Sequence, residues 1–306
     1  MIEHCLYGVK VFSDFALFDR PVPVTAVAPG EHAALQLRRM ADDPAPLDYP
    51  EIIPLYTTHG RELILHTDRE LARSVAGQPW CLEVENVVSF TWTGGEAIIN
   101  YQLHEAGNQA LLVFWFVHIF LPLYLTLERG YDFIHSAAVE VEGKPILFIA
   151  PSTGGKSTMG DYFLQRGHAM LSDDKVATFL HEDQFWAVPS HPHHRPFREF
   201  EVLGHPVENF AASARPIHAF YLLEAGEPDS AVLITEVEGF RKFEQLLPNY
   251  LFAFGFLKQQ RMQWLAGLAD RSQVFRVQRP WNLERMQEVY EAICAHSRNL
   301  AARGQV

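Results

Sequence analysis

Hydrophobic positions along this chain change their spacing twice. From the start to about residue 105 they come in short runs that mix apolar and polar residues: Leu6 to Phe12, Thr25 to Ala28, Leu63 to His66 and Val87 to Trp92. Short runs of this kind, punctuated by Pro and Gly, predict short strands. Thr93-Gly94-Gly95-Glu96 predicts a hairpin turn into a further strand over Ala97–Leu103, and Met40 to Pro50 reads as an exposed loop. The second regime is a nearly unbroken apolar run, Ala110 to Leu127, interrupted by His118, Pro122 and Thr126. Its length approaches that of a membrane-spanning helix. It has a central His and Pro and no Lys/Arg cluster at either end, so it is read as a buried helix, with Gly130 at its C-cap.

Beyond it the two periods alternate. Phe133–Val141 predicts a strand that turns at Glu142-Gly143-Lys144 into a second, Pro145–Ala150, followed by a helix over Thr158–Arg166 that Gly167 ends. His168–Ser172 is a short strand closing on Asp173-Asp174, and Val176–Leu180 and Phe185–Val188 form a hairpin about Glu182-Asp183. Further strands are expected over Ile217–Leu223, Val232–Thr235 and Val274–Val277, and helices over Val237–Leu247 and Tyr250–Leu268. Asn282 caps a last helix with Leu283, Met286, Val289, Tyr290, Ile293 and Cys294 on one face, and the tail Ala301–Val306 is expected to fray. The pattern divides the chain into a β-rich accessory region, residues 1–108, and a mixed α/β (α+β) region, residues 109–306.

Composition narrows the class of partner. With 48% hydrophobic and 20% charged residues the chain is an ordinary globular one. Its formal net charge of −12 repels nucleic acid and anionic membrane surfaces, so neither is expected as a partner. Cys5, Cys81 and Cys294 lie far apart, which indicates neither a disulfide framework nor a zinc site. The first residues lack a basic segment followed by an apolar core. A cytoplasmic protein is the expectation.

The chemistry concentrates in Ser152-Thr153-Gly154-Gly155-Lys156-Ser157-Thr158. A strand, a glycine-containing loop, a lysine, a hydroxyl and a helix, in that order, build a phosphate cradle. Loop and helix N–H groups face the anion, Lys156 reaches the outer phosphates, and the Ser157 hydroxyl ligates magnesium. Ala150 stands where the usual loop pattern begins with glycine. Asp173 and Asp174 end the next strand. One of them with Ser157 could hold magnesium beside the phosphates, and the other could accept a proton from an attacking hydroxyl. His135, in the strand hairpin that feeds the loop, is placed to donate a hydrogen bond or exchange a proton there. His191-Pro192-His193-His194-Arg195-Pro196-Phe197-Arg198 admits three readings: a metal site, an electropositive lip with Arg195 and Arg198 as planar forks, or an exposed polar loop.

His135-Ser136-Ala137, the loop Ser152–Thr158, Gln165-Arg166-Gly167-His168 and Ser172-Asp173-Asp174 together resemble the catalytic domain of HPr kinase/phosphorylase, over roughly residues 130–180. The resemblance implies a fold like the nucleotide-binding core of phosphoenolpyruvate carboxykinases, and phosphoryl transfer from ATP, or pyrophosphate, to a serine. It implies magnesium and ATP as cofactors and a serine-containing peptide or protein, or a small-molecule alcohol, as acceptor. By resemblance Lys156 binds phosphate, Ser157 and Asp173 ligate magnesium, Asp174 accepts the proton, and His135 is a further catalytic group. Glu199 falls at about the interval of the family's magnesium-binding Glu, with Glu201 as the alternative. The family also assembles into oligomers. Thr153 stands where the family has Gly, and the family's late arginine loop has no evident counterpart.

Overall fold

Eight short strands between Ile2 and Leu103 pair into one sheet, and Val9–Ser13 and Arg61–Thr67 show the alternation of buried and more exposed side chains that a sheet with one covered face requires. The computed structural model describes residues 1–19, 34–40, 49, 51–67, 77–95, 97–195 and 199–303. The expected strand Thr25–Ala28, most of the loop Met40–Pro50, Glu96 and Pro196–Arg198 lie outside them. In space the eight strands run Ile2–Leu6, Val9–Ser13, Leu35–Arg39, Ile98–Leu103, Val88–Trp92, Trp80–Val84, Arg61–Thr67 and Glu51–Thr58. The run Leu6–Phe12 is therefore not one strand. Tyr7 and Gly8 adopt φ of 50° and 72°, which folds it into a hairpin with Leu6 opposite Val9.

The apolar segment covers the inner face of this sheet. It is 89% buried, so its hydrophobicity is that of a core helix. Phe120 packs on Trp80 and Phe90 with ring centroids 5.1 and 4.8 Å apart. The helix is regular over Gln109–Trp115 and Leu121–Glu128 and widens into a π turn at Phe116–Phe120. Pro122 explains the widening. It lacks an N–H, and in a regular helix its ring would meet the carbonyl four residues back, at His118. Leu121 N–H instead reaches the Phe116 carbonyl, five residues back. The π turn carries His118, which is buried.

The second half of the molecule has a six-stranded mixed sheet, in the spatial order Met170–Ser172, Ala137–Val141, Lys144–Ile149, Ala219–Gly226, Val274–Pro280 and Leu233–Glu236. Lys144–Ile149, Ala219–Gly226 and Val274–Pro280 are parallel neighbours. Both faces are covered, so these strands are apolar on both sides. Ile146 and Phe148 face the helices Lys156–Leu164 and Met286–Arg303, together with Met159, Phe163, Val289 and Ile293. Leu147 and Ile149 point the other way, into a core continuous with the N-terminal sheet and the π-bulged helix. The N-terminal strands thus share one hydrophobic core with the rest of the chain. The last helix persists to Arg303, so residues 301–303 of the expected frayed tail are ordered by it.

Two crossings between sheets create the site. The expected strand Phe133–Val141 is two strands: Asp132–His135 belongs to a four-stranded antiparallel sheet, Ala137–Val141 to the six-stranded one. The chain changes sheets at Ser136, which is fully buried. The same change occurs at Asp173-Asp174, between Met170–Ser172 and Lys175–His181. Ala138 pairs with Ser172 in one sheet and His135 with Lys175 in the other, so the two crossings lie side by side. The architecture is mixed α/β, with several sheets and few helices.

Candidate functional site

The loop between the strand Lys144–Ile149 and the helix Lys156–Leu164 is tightly turned. Gly154 N–H donates to the Pro151 carbonyl at 2.9 Å, and Thr153 and Gly155 have φ of 63° and 84°. A β-branched residue in that region is strained by about 1–2 kcal/mol. The Thr153 hydroxyl answers locally, donating to the Ser152 carbonyl at 2.5 Å. Glycine at 154 and 155 is a matter of space: a Cβ on Gly154 would come within 2.7 Å of the Ala150 Cβ, and one on Gly155 within 2.4 Å of Arg279 Nη2. Lys156 is buried at 7% exposure, and its ammonium donates to the Ala150 carbonyl at 2.7 Å, back across the loop. Ser152, Thr153 and Thr158 are exposed and Ser157 is half-buried at the start of the helix.

At the crossings, His135 and Asp174 meet. His135 Nδ1 lies 3.1 Å from Asp174 Oδ1 and 3.2 Å from its backbone carbonyl, while Lys175 Nζ is 3.3 Å from Oδ2. Burial opposes the charge on Asp174, but the Lys175 ammonium and the His135 ring outweigh it and hold the carboxyl well below the usual carboxylate range. A proton on His135 Nδ1 serves both Asp174 oxygens and leaves Nε2 as an acceptor. His135 shares a cleft of about 370 Å³ with Ala150, Pro151 and Ser152 of the loop and with Asn249 and Glu224 opposite. His135 and the loop therefore open onto the same space, with Asp174 held behind the ring.

Asp173 faces elsewhere. Its Oδ2 accepts the Arg195 N–H at 2.7 Å and its Oδ1 is 3.0 Å from His194 Nδ1, whose Nε2 approaches Asp161 of the loop helix at 3.6 Å. Burial disfavours charge on His194, but the Asp173 and Asp161 carboxylates prevail and raise its pKa. Asp173 thus stands between the crossing and the loop helix, its Oδ2 hydrogen-bonded and its Oδ1 buried beside His194 without a hydrogen bond. Glu199 is exposed. Glu201 is taken by the Arg61 guanidinium at 3.2 Å and Trp115 Nε1 at 2.8 Å, tying the N-terminal sheet to the helix. Of the three expected magnesium ligands, Ser157 alone stands at the loop with a chemistry that suits the ion. Among the described residues no three His, Cys, Asp or Glu side chains converge as a metal site, and the His191–His194 stretch forms none. Arg195 turns its guanidinium over the Phe114 ring at 5.8 Å, into a small cavity behind Asp173 and Asp174 that Tyr7, His118 and His191 also line. It is not an exposed lip.

The pattern of the sequence did not point to Arg279, which the end of the strand Val274–Pro280 delivers to the loop. Its Nη2 donates to the Gly154 carbonyl at 3.0 Å. Together with Thr153, Gly155, Thr158, Trp281 and Met286 it lines a second cleft, of about 230 Å³, on the other side of the loop. The available signal was the continuation of the apolar run Val274–Val277 into Gln278-Arg279-Pro280-Trp281; that strand lies two places from the loop strand and runs the same way, so both end on the same side of the sheet. Lys175 was equally unmarked.

Neither a family model nor a curated protein matches this chain. Among solved structures, the Hpr(Ser) kinase/phosphatase from Coxiella burnetii is distantly similar, with 12% identity, a TM-score of 0.36, and coverage of 56% of this chain and 93% of that one.

Proposed function

We propose that the protein is an ATP- and magnesium-dependent kinase that transfers a phosphoryl group to a hydroxyl, that of a serine in a peptide or protein. One observation carries this reading: His135, which holds Asp174 at 3.1 Å, lines one open cleft with Ala150, Pro151 and Ser152 of the Lys156 loop. In the proposed reaction the loop N–H groups and the Lys156 ammonium bind the outer phosphates. Lys156 exchanges its bond to the Ala150 carbonyl for one to phosphate oxygen. The acceptor hydroxyl lies against Asp174, its oxygen bonds to the γ-phosphorus, and the bond to the bridging oxygen breaks with ADP leaving. The hydroxyl proton passes to the Asp174 carboxylate. A carboxylate held so firmly ionised is a weak base, which suits a loose transition state in which the proton leaves late. His135 orients that carboxylate, and Lys175 balances its charge. A magnesium ion arriving with the phosphates would find the Ser157 hydroxyl as its protein ligand and would neutralise phosphate charge.

The test is incubation with γ-labelled ATP, magnesium and serine-bearing peptides, with small alcohols in a parallel arm. Transfer that depends on Lys156 and Asp174 is expected; transfer that survives both Lys156→Ala and Asp174→Asn sinks the reading. The turn of Asp173 away from the cleft, toward Arg195 and His194, favours a second reading, a nucleotide-binding module that performs no transfer. Calorimetric nucleotide binding with no phosphorylated product would decide for it.

A further inference from the structure

The second cleft contains a buried cation without an anion. Arg279 is 4% exposed, yet its one hydrogen bond is to a neutral carbonyl, that of Gly154, and its Nε is buried with no partner. Among the described residues no carboxylate pairs with it. A guanidinium taken out of water is costly unless an anion or a full set of acceptors meets it. Burial alone pushes its pKa down from the ordinary arginine value. Trp281 sits next to it: the guanidinium carbon lies 4.9 Å from the indole centroid, so one ring face is covered by the cation, while the residue as a whole remains 51% exposed. Met286 and Leu283 continue the apolar wall, and Thr153 and Thr158 bring hydroxyls from the loop side. A cation against the loop, an exposed indole beyond it and a cleft of about 230 Å³ between them make a graded surface, charged at the loop and aromatic away from it.

We infer that this cleft selects the phosphoryl donor. Arg279 pairs with a phosphate of a nucleotide seated in the loop, and the free face of Trp281 stacks the nucleotide's base, so that the donor is a nucleoside triphosphate and not inorganic pyrophosphate. The inference rests on the kinase reading for the word donor, though the binding it describes does not need transfer to occur. The physical reasons are separable. The guanidinium serves any phosphate chain, because a planar fork matches phosphate oxygens whatever they carry. The indole serves only a ligand with a base, because stacking needs a π-face, and it tolerates any base that has one. An inorganic phosphate chain would leave Trp281, Leu283 and Met286 facing water.

Calorimetric titration of the full chain with ADP and with pyrophosphate, both with magnesium, separates these roles. ADP is expected to bind more tightly than pyrophosphate. Trp281→Ala should weaken ADP about tenfold, the loss of one stacked base, and leave pyrophosphate unchanged. Trp281→Phe should restore most of the ADP affinity, and the unchanged pyrophosphate binding of the alanine variant shows that it is folded. Arg279→Met should weaken both ligands. Pyrophosphate binding as tightly as ADP, or ADP affinity indifferent to Trp281→Ala, would overturn the inference and leave the kinase reading standing. Stacking-dependent ADP binding without phosphoryl transfer would do the reverse.

Discussion

The two clefts beside the Pro151–Gly155 loop differ in how their charges are treated. Beside the first, behind His135, Asp174 is surrounded by groups that want it ionised: Lys175 at 3.3 Å and His135 at 3.1 Å. In the second, Arg279 is buried with no group of opposite charge beside it among the described residues. One cleft is electrostatically complete and the other is not. A satisfied carboxylate beside an open space is suited to receiving a neutral group such as a hydroxyl, since nothing need be displaced. An unsatisfied cation is suited to an anion, since binding removes an existing penalty.

The strongest way to break this contrast is to remove the group common to both sides. Lys156→Ala should lower kcat for phosphoryl transfer by about 10³-fold, the loss expected for a preorganised charge at a transferring phosphoryl group. A rate within tenfold of the native one would show that the loop does not hold the donor. Asp174→Asn tests the first cleft by itself. Turnover should fall by about 10²-fold while ADP affinity stays unchanged, because the amide keeps the shape and loses the basic lone pair. Equal losses in kcat and in ADP binding would mean that the two clefts do not divide the work.

Behind the first cleft stands a wall of neutral histidines that the second lacks. His191 is buried, and burial pushes its pKa down to about 3; burial also holds His118 well below its ordinary value. Unfolding frees these rings to take up protons once the pH drops below the unfolded value near 6.5. Stability should therefore fall as pH falls from about 6.5 toward the folded values. His191 alone should cost about 2 kcal/mol at pH 5 relative to pH 7.5. Urea denaturation at the two pH values measures this, and His191→Gln should flatten the difference. Asp174 has the opposite chemistry: its depressed pKa contributes stability above about pH 4, which is lost only below that. The smallest effect is predicted for Gly155→Ala. Its φ of 84° and the 2.4 Å approach of Arg279 Nη2 should cost about 1–2 kcal/mol of stability and weaken ADP more than it affects acceptor KM. A loss confined to acceptor KM would place Gly155 with the wrong cleft.

Local chemistry was legible where local rules suffice. The Glu142-Gly143 and Glu182-Asp183 turns have the positive φ that hairpins require, and Asn282 accepts the Glu284 N–H at 3.0 Å as a cap should. The loop's order of strand, glycines, lysine and helix is present as expected, and Thr153 adopts the conformation for which glycine is the natural residue. Boundaries failed where a strand's register depends on neighbours. Phe133–Val141 contains no Pro or Gly, and nothing in it marks Ser136 as the point where two sheets part. The helix expected over Tyr250–Leu268 starts only at Lys258, after a 3-10 turn at Gly255–Leu257, because Leu251 N–H donates to the Phe133 carbonyl.

Asp173 and Asp174 show the division most plainly. The sequence by itself determined that a lysine-bearing, glycine-containing loop lies between a buried strand and a helix, and that two carboxylates end the next strand. It did so because turns, caps and alternation are set by residues within a few positions of one another. Only the tertiary structure decided that Asp174 meets His135 while Asp173 turns to His194, and that Arg279 reaches the Gly154 carbonyl from 125 residues away. Adjacent side chains at a strand's end point apart, and which of them faces the loop is set by the sheet each neighbouring strand joins. That choice is made by packing across the whole core, which no short stretch of sequence contains.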